Sequence, residues 1–216
     1  MLMINKAILN LALGDGYITK PKSANGNSLL RMHHSIKQKE YVFFKMKYLE
    51  ENGFSTIFRE RIDKGFHVCY AMTGKKPEIT EVRKLLYKSG KKELTKEIVD
   101  LFDEQTIAFL YQDDGHKGVI KKDKKKLKSG TVYYDVEPYI HQLCIATNSF
   151  EKSGLELFVD KLYGYGIEAK IYDRKGPTIC ISKKESKKNF IDLVKSYMCT
   201  SMMYKIEGNY YSHGRI

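Results

Sequence analysis

The chain predicts an α+β fold in which an αββαββα unit occurs twice, related by a pseudo-twofold axis through a central pair of helices. Three observations lead there. A short apolar run ending in acid and glycine, Ile8-Leu9-Asn10-Leu11-Ala12-Leu13-Gly14-Asp15-Gly16, is echoed by Ile107-Ala108-Phe109-Leu110-Tyr111-Gln112-Asp113-Asp114-Gly115. Each copy is followed by the same succession of alternating and amphipathic segments, which read as strands and helices. Turn signals also recur at matched places: Asn52-Gly53 corresponds to Gly164-Tyr165-Gly166, and Lys64-Gly65 to Lys175-Gly176. Two copies are too few for a solenoid and imply a pseudo-dimer, with halves 1–98 and 99–216 forming one compact unit.

Taken in order, residues 5–14 read as a helix with Ala7, Ile8, Leu11 and Ala12 on a close-packing face. The glycine after each acid suits a left-handed helix end. A first strand near 17–19 precedes a polar loop over 20–26. Residues 28–34 alternate, with Leu30 and Met32 on one face and Arg31 and His33 on the other. Residues 39–51 form an amphipathic helix carrying Tyr41, Phe44, Tyr48 and Leu49. Segments 54–62 and 66–72 read as a hairpin, with Arg59 and Arg61 opposite Phe58 and Ile62, and 78–87 as a helix. In the second copy Asp103 caps the helix that ends at Asp114. Residues 117–130, with seven lysines, read as a mobile loop. Residues 133–146 are strand-rich and 153–163 helical. Residues 167–173 alternate so that Lys170, Tyr172 and Arg174 face together, and a strand (178–182) and a helix (186–197) follow.

The 216 residues, 42% of them hydrophobic, suffice for a real core. A net charge of +12 and a pI near 9.3 imply a polyanionic partner, nucleic acid or an acidic membrane surface. Lysine far outnumbers arginine, which favours general phosphate attraction over bidentate base reading. Sixteen tyrosines and ten phenylalanines fit a folded protein rather than a basic tail. The four cysteines, Cys69, Cys144, Cys180 and Cys199, form no metal-binding spacing and read as free thiols of a reducing compartment. No signal peptide or membrane span is evident, so a soluble intracellular protein is expected, in a bacterial or phage-infected cytoplasm or an organelle matrix. The basic residues are not gathered on one long amphipathic helix, which disfavours a membrane-surface role.

Asp15 and Asp114 fall at helix C-termini, where the macrodipole and the unpaired carbonyls already disfavour an anion. Placing a carboxylate there twice requires a reason, and a hard cation supplies one, because Mg²⁺ takes carboxylate and carbonyl oxygens together. Small residues at the helix contact, Ala12 and Gly14 facing Ala108, let the backbones approach and bring the two acids side by side. Their repulsion is relieved if cations intervene. Metal ions so placed stabilise the attacking and leaving oxygens of an in-line phosphodiester hydrolysis. A curved pair of antiparallel sheets, rich in Lys, Arg, Tyr, Asn and His, fits the major groove of a duplex.

This pattern resembles the LAGLIDADG homing endonucleases in their single-chain, two-motif form, over nearly the whole chain. In the second half, residues 109–117, Ala146-Thr147-Asn148-Ser149-Phe150 and Met202-Met203-Tyr204-Lys205 resemble members encoded in mitochondrial group I introns. In the first half, Leu13-Gly14-Asp15-Gly16-Tyr17-Ile18 and Lys37-Gln38-Lys39-Glu40-Tyr41 are similar to the same members. The resemblance implies a DNA-binding saddle around the central helix pair, acting as a monomer. It also implies Mg²⁺-dependent cleavage of both strands at a long site, with Mn²⁺ substituting and Ca²⁺ supporting binding without cleavage.

By position, Asp15 and Asp114 are the metal-binding catalytic acids, assisted by the carbonyls of Gly14 and Asp113. Lys92 and Lys205 match the family's basic residues near the scissile phosphates, with Lys91 competing for the first place. Candidate DNA contacts are Arg31, His33, Arg59, Arg61, His67, Lys117, Lys121, Lys122, Lys170, Tyr172 and Arg174, and the lysine run 121–128 reads as a phosphate contact. One of His33 and His34 is a candidate water-positioning or base-contacting group, and His116 is another. The motif is degenerate, because Asn10 and Phe109 stand where the family has glycine, so the two helices are expected to pack unequally. Two rival functions use the same fold: an RNA maturase, with intron RNA as partner, and a non-catalytic DNA-binding regulator. The second predicts lost acids and an appended helix-turn-helix, and neither is seen. No protein-splicing segment is evident, which favours a free-standing or intron-encoded gene.

Overall fold

The computed structural model describes residues 4–127, 129–173 and 176–210, and it carries the duplicated α+β architecture. Helix α1 (Lys6–Leu13) begins at Asn5, whose side chain accepts from the Ile8 amide at 3.1 Å. Strands β1 (Gly16–Ile18) and β2 (Leu30–Ser35) follow, then α2 (Lys39–Glu51), β3 (Thr56–Asp63), β4 (Phe66–Thr73) and α3 (Pro77–Leu86). A short helix α4 (Lys96–Asp100) was not expected; Thr95 caps it, and it packs against α6 of the second half. The second copy runs α5 (Glu104–Asp114), β5 (Gly115–Leu127), β6 (Gly130–Ala146), α6 (Lys152–Tyr163), β7 (Lys170–Asp173), β8 (Pro177–Ile181) and α7 (Lys184–Val194). Asp103 caps α5 as expected, accepting from the Thr106 amide at 2.9 Å.

The two antiparallel sheets share one topology, β1-β2-β4-β3 and β5-β6-β8-β7. Near the central helices their registers match. Gly16 pairs with Met32 as Gly115 pairs with Ile145, and His33 pairs with Tyr70 as Ala146 pairs with Thr178. Along β2, burial alternates strictly: Leu30, Met32 and His34 point inward, and Arg31, His33 and Ser35 outward. Of the two histidines, His33 therefore faces outward and His34 lies in the core. The β3–β4 hairpin turns through Lys64 and Gly65, both at positive φ (50° and 84°), which matches the right-handed twist of the flanking strands. Phe58 packs on the core, whereas Ile62 at the hairpin tip is 76% exposed.

Helices α1 and α5 pack against each other at the centre, buried on nearly every side. The two residues that replace the motif glycines make different contacts. Asn10 accepts from the Thr106 hydroxyl at 2.7 Å and donates to the Tyr48 hydroxyl at 3.0 Å. Phe109 instead fills a pocket of aromatic rings from α2, 4.8 Å from Tyr48 and 5.8 Å from Phe44.

Three expectations are corrected. Neither Gly16 nor Gly115 adopts the left-handed conformation; both are required by close approach. A Cβ on Gly16 would collide with the Leu11 carbonyl, and one on Gly115 with the Tyr111 carbonyl and ring. Gly16→Ala should therefore lower the melting temperature by roughly 2–12 °C, since overpacking costs roughly 1–3 kcal/mol at ~2–4 °C per kcal/mol. Gly74→Ala, which meets open space, should change it little, and equal melting of the two variants would contradict this. The lysine-rich stretch from 117 is not a loop: its backbone runs as β5 to Leu127, paired along β6 with Lys126 opposite Thr131. Aromatic and β-branched residues on β6 give the lysine strand its partner, which alternation in one strand alone cannot reveal. Finally, Cys144 and Cys180 are not free thiols: register sets them opposite each other across β6 and β8, Cα–Cα 4.2 Å, and they form a disulfide. Cys69 and Cys199 are free and buried. Among the described residues, no helix is long and apolar enough to cross a membrane.

Candidate active site and nucleic-acid surface

Asp15 stands just beyond α1, and Asp114 is the last residue of α5, so the paired helices deliver both acids to one place. Both resist ionisation. Burial pushes Asp15 up from the ordinary carboxylate range, and Asp113 adds to this. Burial pushes Asp114 up to about 7, with the charges of Asp15 and Asp113 adding to it. Two acids raised this way form a site that favours an added positive charge.

Two lysines already respond to that potential. Lys92 donates to the Gly14 carbonyl at 2.5 Å, and Lys205 to the carbonyls of Gln112 at 2.6 Å and Asp113 at 3.2 Å. These contacts match across the pseudo-twofold, since Gly14 precedes one acid and Asp113 the other. They also separate Lys92 from Lys91, which is exposed on the surface. Burial holds both ammonium groups below the usual lysine range, opposed by the three nearby carboxylates. Lys205 reaches the site from a 3-10 segment, Thr200–Lys205, that the Tyr111 hydroxyl anchors by donating to the Lys205 carbonyl at 3.0 Å.

The residues fit a hard divalent cation. Ammonium groups sitting on backbone carbonyls beside two acids mark an oxygen-lined, electronegative pocket, the donor chemistry such an ion takes. Asp15 and Asp114 would hold it, with the Gly14 and Asp113 carbonyls released to it by the lysines. A bound ion there supplies Lewis-acid stabilisation of phosphoryl oxygens. Among the described residues, Asp15, His34 and Asp113 also bring ligand atoms within 4.8 Å of one another. The Asp113 carboxylate, however, is already engaged.

That engagement escaped the sequence reading, which gave Asp113 only a carbonyl role. Its side chain is fully buried, accepting from Lys45 at 2.5 Å and from the Tyr41 hydroxyl at 2.8 Å, both on α2 of the other half. Its second oxygen accepts the Asp15 amide at 3.0 Å. Burial opposes its ionisation, yet Lys45 holds it below the usual range. Lys45 also reaches His34 Nε2 at 3.1 Å, while His34 Nδ1 faces Gln38 at 3.3 Å and Asp15 at 3.7 Å. Burial, then the Lys45 charge, lowers His34 to about 4, so the ring is neutral at pH 7. Losing one partner of a buried pair such as Lys45–Asp113 costs about 3–5 kcal/mol.

Around this centre the sheets present two outer faces. On the first, Tyr17, Arg31, His33, Arg61, Asp63, Tyr70 and Met72 line one groove with Asp15. Arg59 joins that face, because it lies opposite Tyr70, as His33 does on the other side. Arg61 is held by Asp63 at 2.8 Å and lies 5.5 Å from the Tyr70 ring centre. On the second face, Tyr172 and His116 line a groove with Gln142, Asn148 and Thr178, and Lys170 is set beside Cys180. Burial lowers the His116 imidazole below its usual range. Lys121 and Lys122 are exposed on β5.

Two candidate DNA contacts, Lys117 and His67, are placed away from these faces. Lys117 pairs with the buried Leu143 on the inner side of its sheet, and its ammonium is bound to the Glu207 carbonyl at 2.5 Å. His67 pairs with Ile62, opposite the face of Arg59 and Arg61. There it meets Glu60 at 3.3 Å and borders a second groove with His33 and Asp15. Arg174 and Lys128 lie outside the described residues.

Fold and site together define a duplicated, two-sheet scaffold with an acidic centre between basic faces. The chain belongs to the LAGLIDADG DNA endonuclease family, whose profile matches residues 6–190. It is similar in structure to the homing endonuclease I-WcaI, solved bound to its DNA recognition sequence. The TM-score is 0.73 at 23% identity, covering 97% of this chain and 89% of that one. It is also similar to I-DmoI, solved in complex with DNA and Mn, with a TM-score of 0.54 at 18% identity over 89% and 96% of the two chains. Among curated proteins it is 25% identical over 205 residues to Protein RecA of Mycolicibacterium flavescens, covering 93% of this chain and 45% of the relative. Protein RecA of Mycobacterium shimoidei matches at 22% over the same length. The chain thus spans about half the length of the curated relatives it matches.

Proposed function

We propose that this protein is a site-specific homing endonuclease that hydrolyses both strands of a long DNA target with Mg²⁺. The observation that carries this reading is the pairing of Asp15 and Asp114 at the ends of the central helices. Both are pushed toward neutrality, Asp15 by burial and the charge of Asp113, and Asp114 by burial and the charges of Asp15 and Asp113, with lysine-occupied carbonyls beside them. The halves 1–98 and 99–216 act together as a monomer, each giving one acid, one buried lysine and one sheet face. Arg31, His33, Arg59 and Arg61 on one face, and Lys170 and Tyr172 on the other, contact the duplex, with Lys121 and Lys122 on flanking phosphates. Lys92 and Lys205 shift from the backbone carbonyls to the charge that develops on the scissile phosphates. Mn²⁺ substitutes for Mg²⁺, and Ca²⁺ supports binding alone. The structural neighbours I-WcaI, solved with its DNA recognition sequence, and I-DmoI, solved with DNA and Mn, favour DNA over intron RNA as the partner. An origin in a mitochondrial group I intron remains part of this reading, on the motif residues of both halves.

The test is incubation with a plasmid library carrying candidate intron-insertion sites. Linear product with Mg²⁺ or Mn²⁺, and retained but uncut plasmid with Ca²⁺, is the expected result. Equal cutting without any divalent ion would refute the metal assignment, and no cutting of any site would refute the nuclease reading.

A further inference from the structure

Among the described residues the cluster behind Asp15 occurs once in a molecule otherwise built twice, and the registers say what stands in its place. Gly53 and Gly166 close α2 and α6 at equivalent points, both at positive φ. Counting back from them, the buried positions Tyr41, Val42, Lys45 and Leu49 fall on Gly154, Leu155, Phe158 and Leu162, which are the buried positions of α6. Sheet register sets His34 against Thr147, and the repeated motif sets Asp113 against Gly14. On the Asp114 side, therefore, glycine, glycine, phenylalanine and threonine replace aspartate, tyrosine, lysine and histidine.

Packing explains why only one copy exists. A Cβ on Gly14 would run into the Asp113 side chain, so the axis has room for one carboxylate there. Asp113 belongs to the second half by sequence and to the first half's site by contact. Lys45, which can only donate, meets His34 at Nε2 and so fixes that nitrogen as the acceptor. The ring proton then sits on Nδ1, facing Gln38 and Asp15. The Asp15 amide is pinned to Asp113 at the same time.

Resting on the nuclease reading above, we propose that Lys45, Asp113 and His34 form a one-sided latch that positions Asp15 alone, so that the two strands are cut by unequal half-sites. These are positioning residues, since they act through Asp15. Lys45→Met and the charge-free pair Lys45→Met/Asp113→Asn should slow one strand about tenfold or more, the scale at which small misplacements cost rate, and spare the other. With each strand end-labelled in a supercoiled target, wild type should proceed to linear DNA and the variants should accumulate nicked circles cut in one fixed strand. The double variant guards against misfolding, because it leaves no unpaired buried charge, and thermal melting checks it. Equal slowing of both strands, or of neither, would overturn the latch while leaving the nuclease reading intact. A second measurement needs no metal and no cleavage. Nitrogen chemical shifts of the His34 ring should give the Nδ1–H tautomer in wild type and a changed tautomer balance in Lys45→Met. An Nε2–H ring in wild type would overturn the latch even if no DNA site were ever cut.

Discussion

Asp114→Asn should lose double-strand cleavage by about 10²–10³-fold while binding its DNA target in Ca²⁺ with near wild-type affinity, and Asp15→Asn should do the same. The magnitude is that of removing a group that stabilises charge at the reacting centre. The two acids end the central helices. The arginines and aromatic groups proposed to meet DNA lie out on the sheet faces, and Asp15 only borders their groove. Losing a carboxylate also removes a negative charge facing a polyanion, so binding should hold or tighten. Asparagine matches the size of aspartate, so no cavity confuses the result. The measurement is plasmid linearisation with Mg²⁺ beside filter binding in Ca²⁺. A variant that still cuts both strands at more than a tenth of the wild-type rate would remove that residue from the catalytic assignment.

Most of the fold was legible because periodicity survives in a single chain. The αββαββα order, the inward Leu30 and Met32, the Asp103 cap and the matched turns all follow from local pattern and turn chemistry. What the pattern could not carry was pairing between distant segments. The lysine strand β5 is a strand because β6 lies beside it, and Cys144 meets Cys180 only through the register of β6 on β8. The glycines of the motif were correctly expected but for the wrong reason, since crowding by Leu11 and Tyr111, not backbone handedness, demands them. In the site, the acids and Lys205 stood out through the repeat, and geometry then separated Lys92 from Lys91. Lys45 was the missed residue, although its signal was present. It lies in the apolar stripe of α2 with Tyr41, Val42 and Leu49, and a lysine on a core-facing stripe needs a buried partner. Asp113 was missed because its neighbour Asp114 accounted for the motif's acid, leaving the second carboxylate without a question asked of it.

The raised pKa of Asp114 fixes how stability and metal affinity should vary with pH. Its value of about 7 lies above that of an unfolded aspartate, for the burial and like-charge reasons given above. For such a group the folded state binds its proton more tightly than the unfolded state does. Its contribution to stability is therefore full below about pH 4 and is lost as pH rises through 7. Metal-free wild type should accordingly melt lower at pH 8 than at pH 5.5 on this group's account. Asp114→Asn, which has no proton to lose, should escape that loss, so the melting gap between variant and wild type should widen from pH 5.5 to pH 8 in the variant's favour. Metal reverses the sign. An ion held by Asp114 needs the carboxylate ionised, so apparent Mg²⁺ affinity should fall about tenfold per pH unit below 7 and level off above it. Titration calorimetry in buffers of different ionisation enthalpy should detect close to one proton released per ion bound at pH 6, and far less at pH 8.5. A Mg²⁺ affinity that stays flat from pH 6 to 8.5 would place Asp114 outside the metal site, and parallel melting of wild type and Asp114→Asn would show that its carboxyl is not raised in the fold.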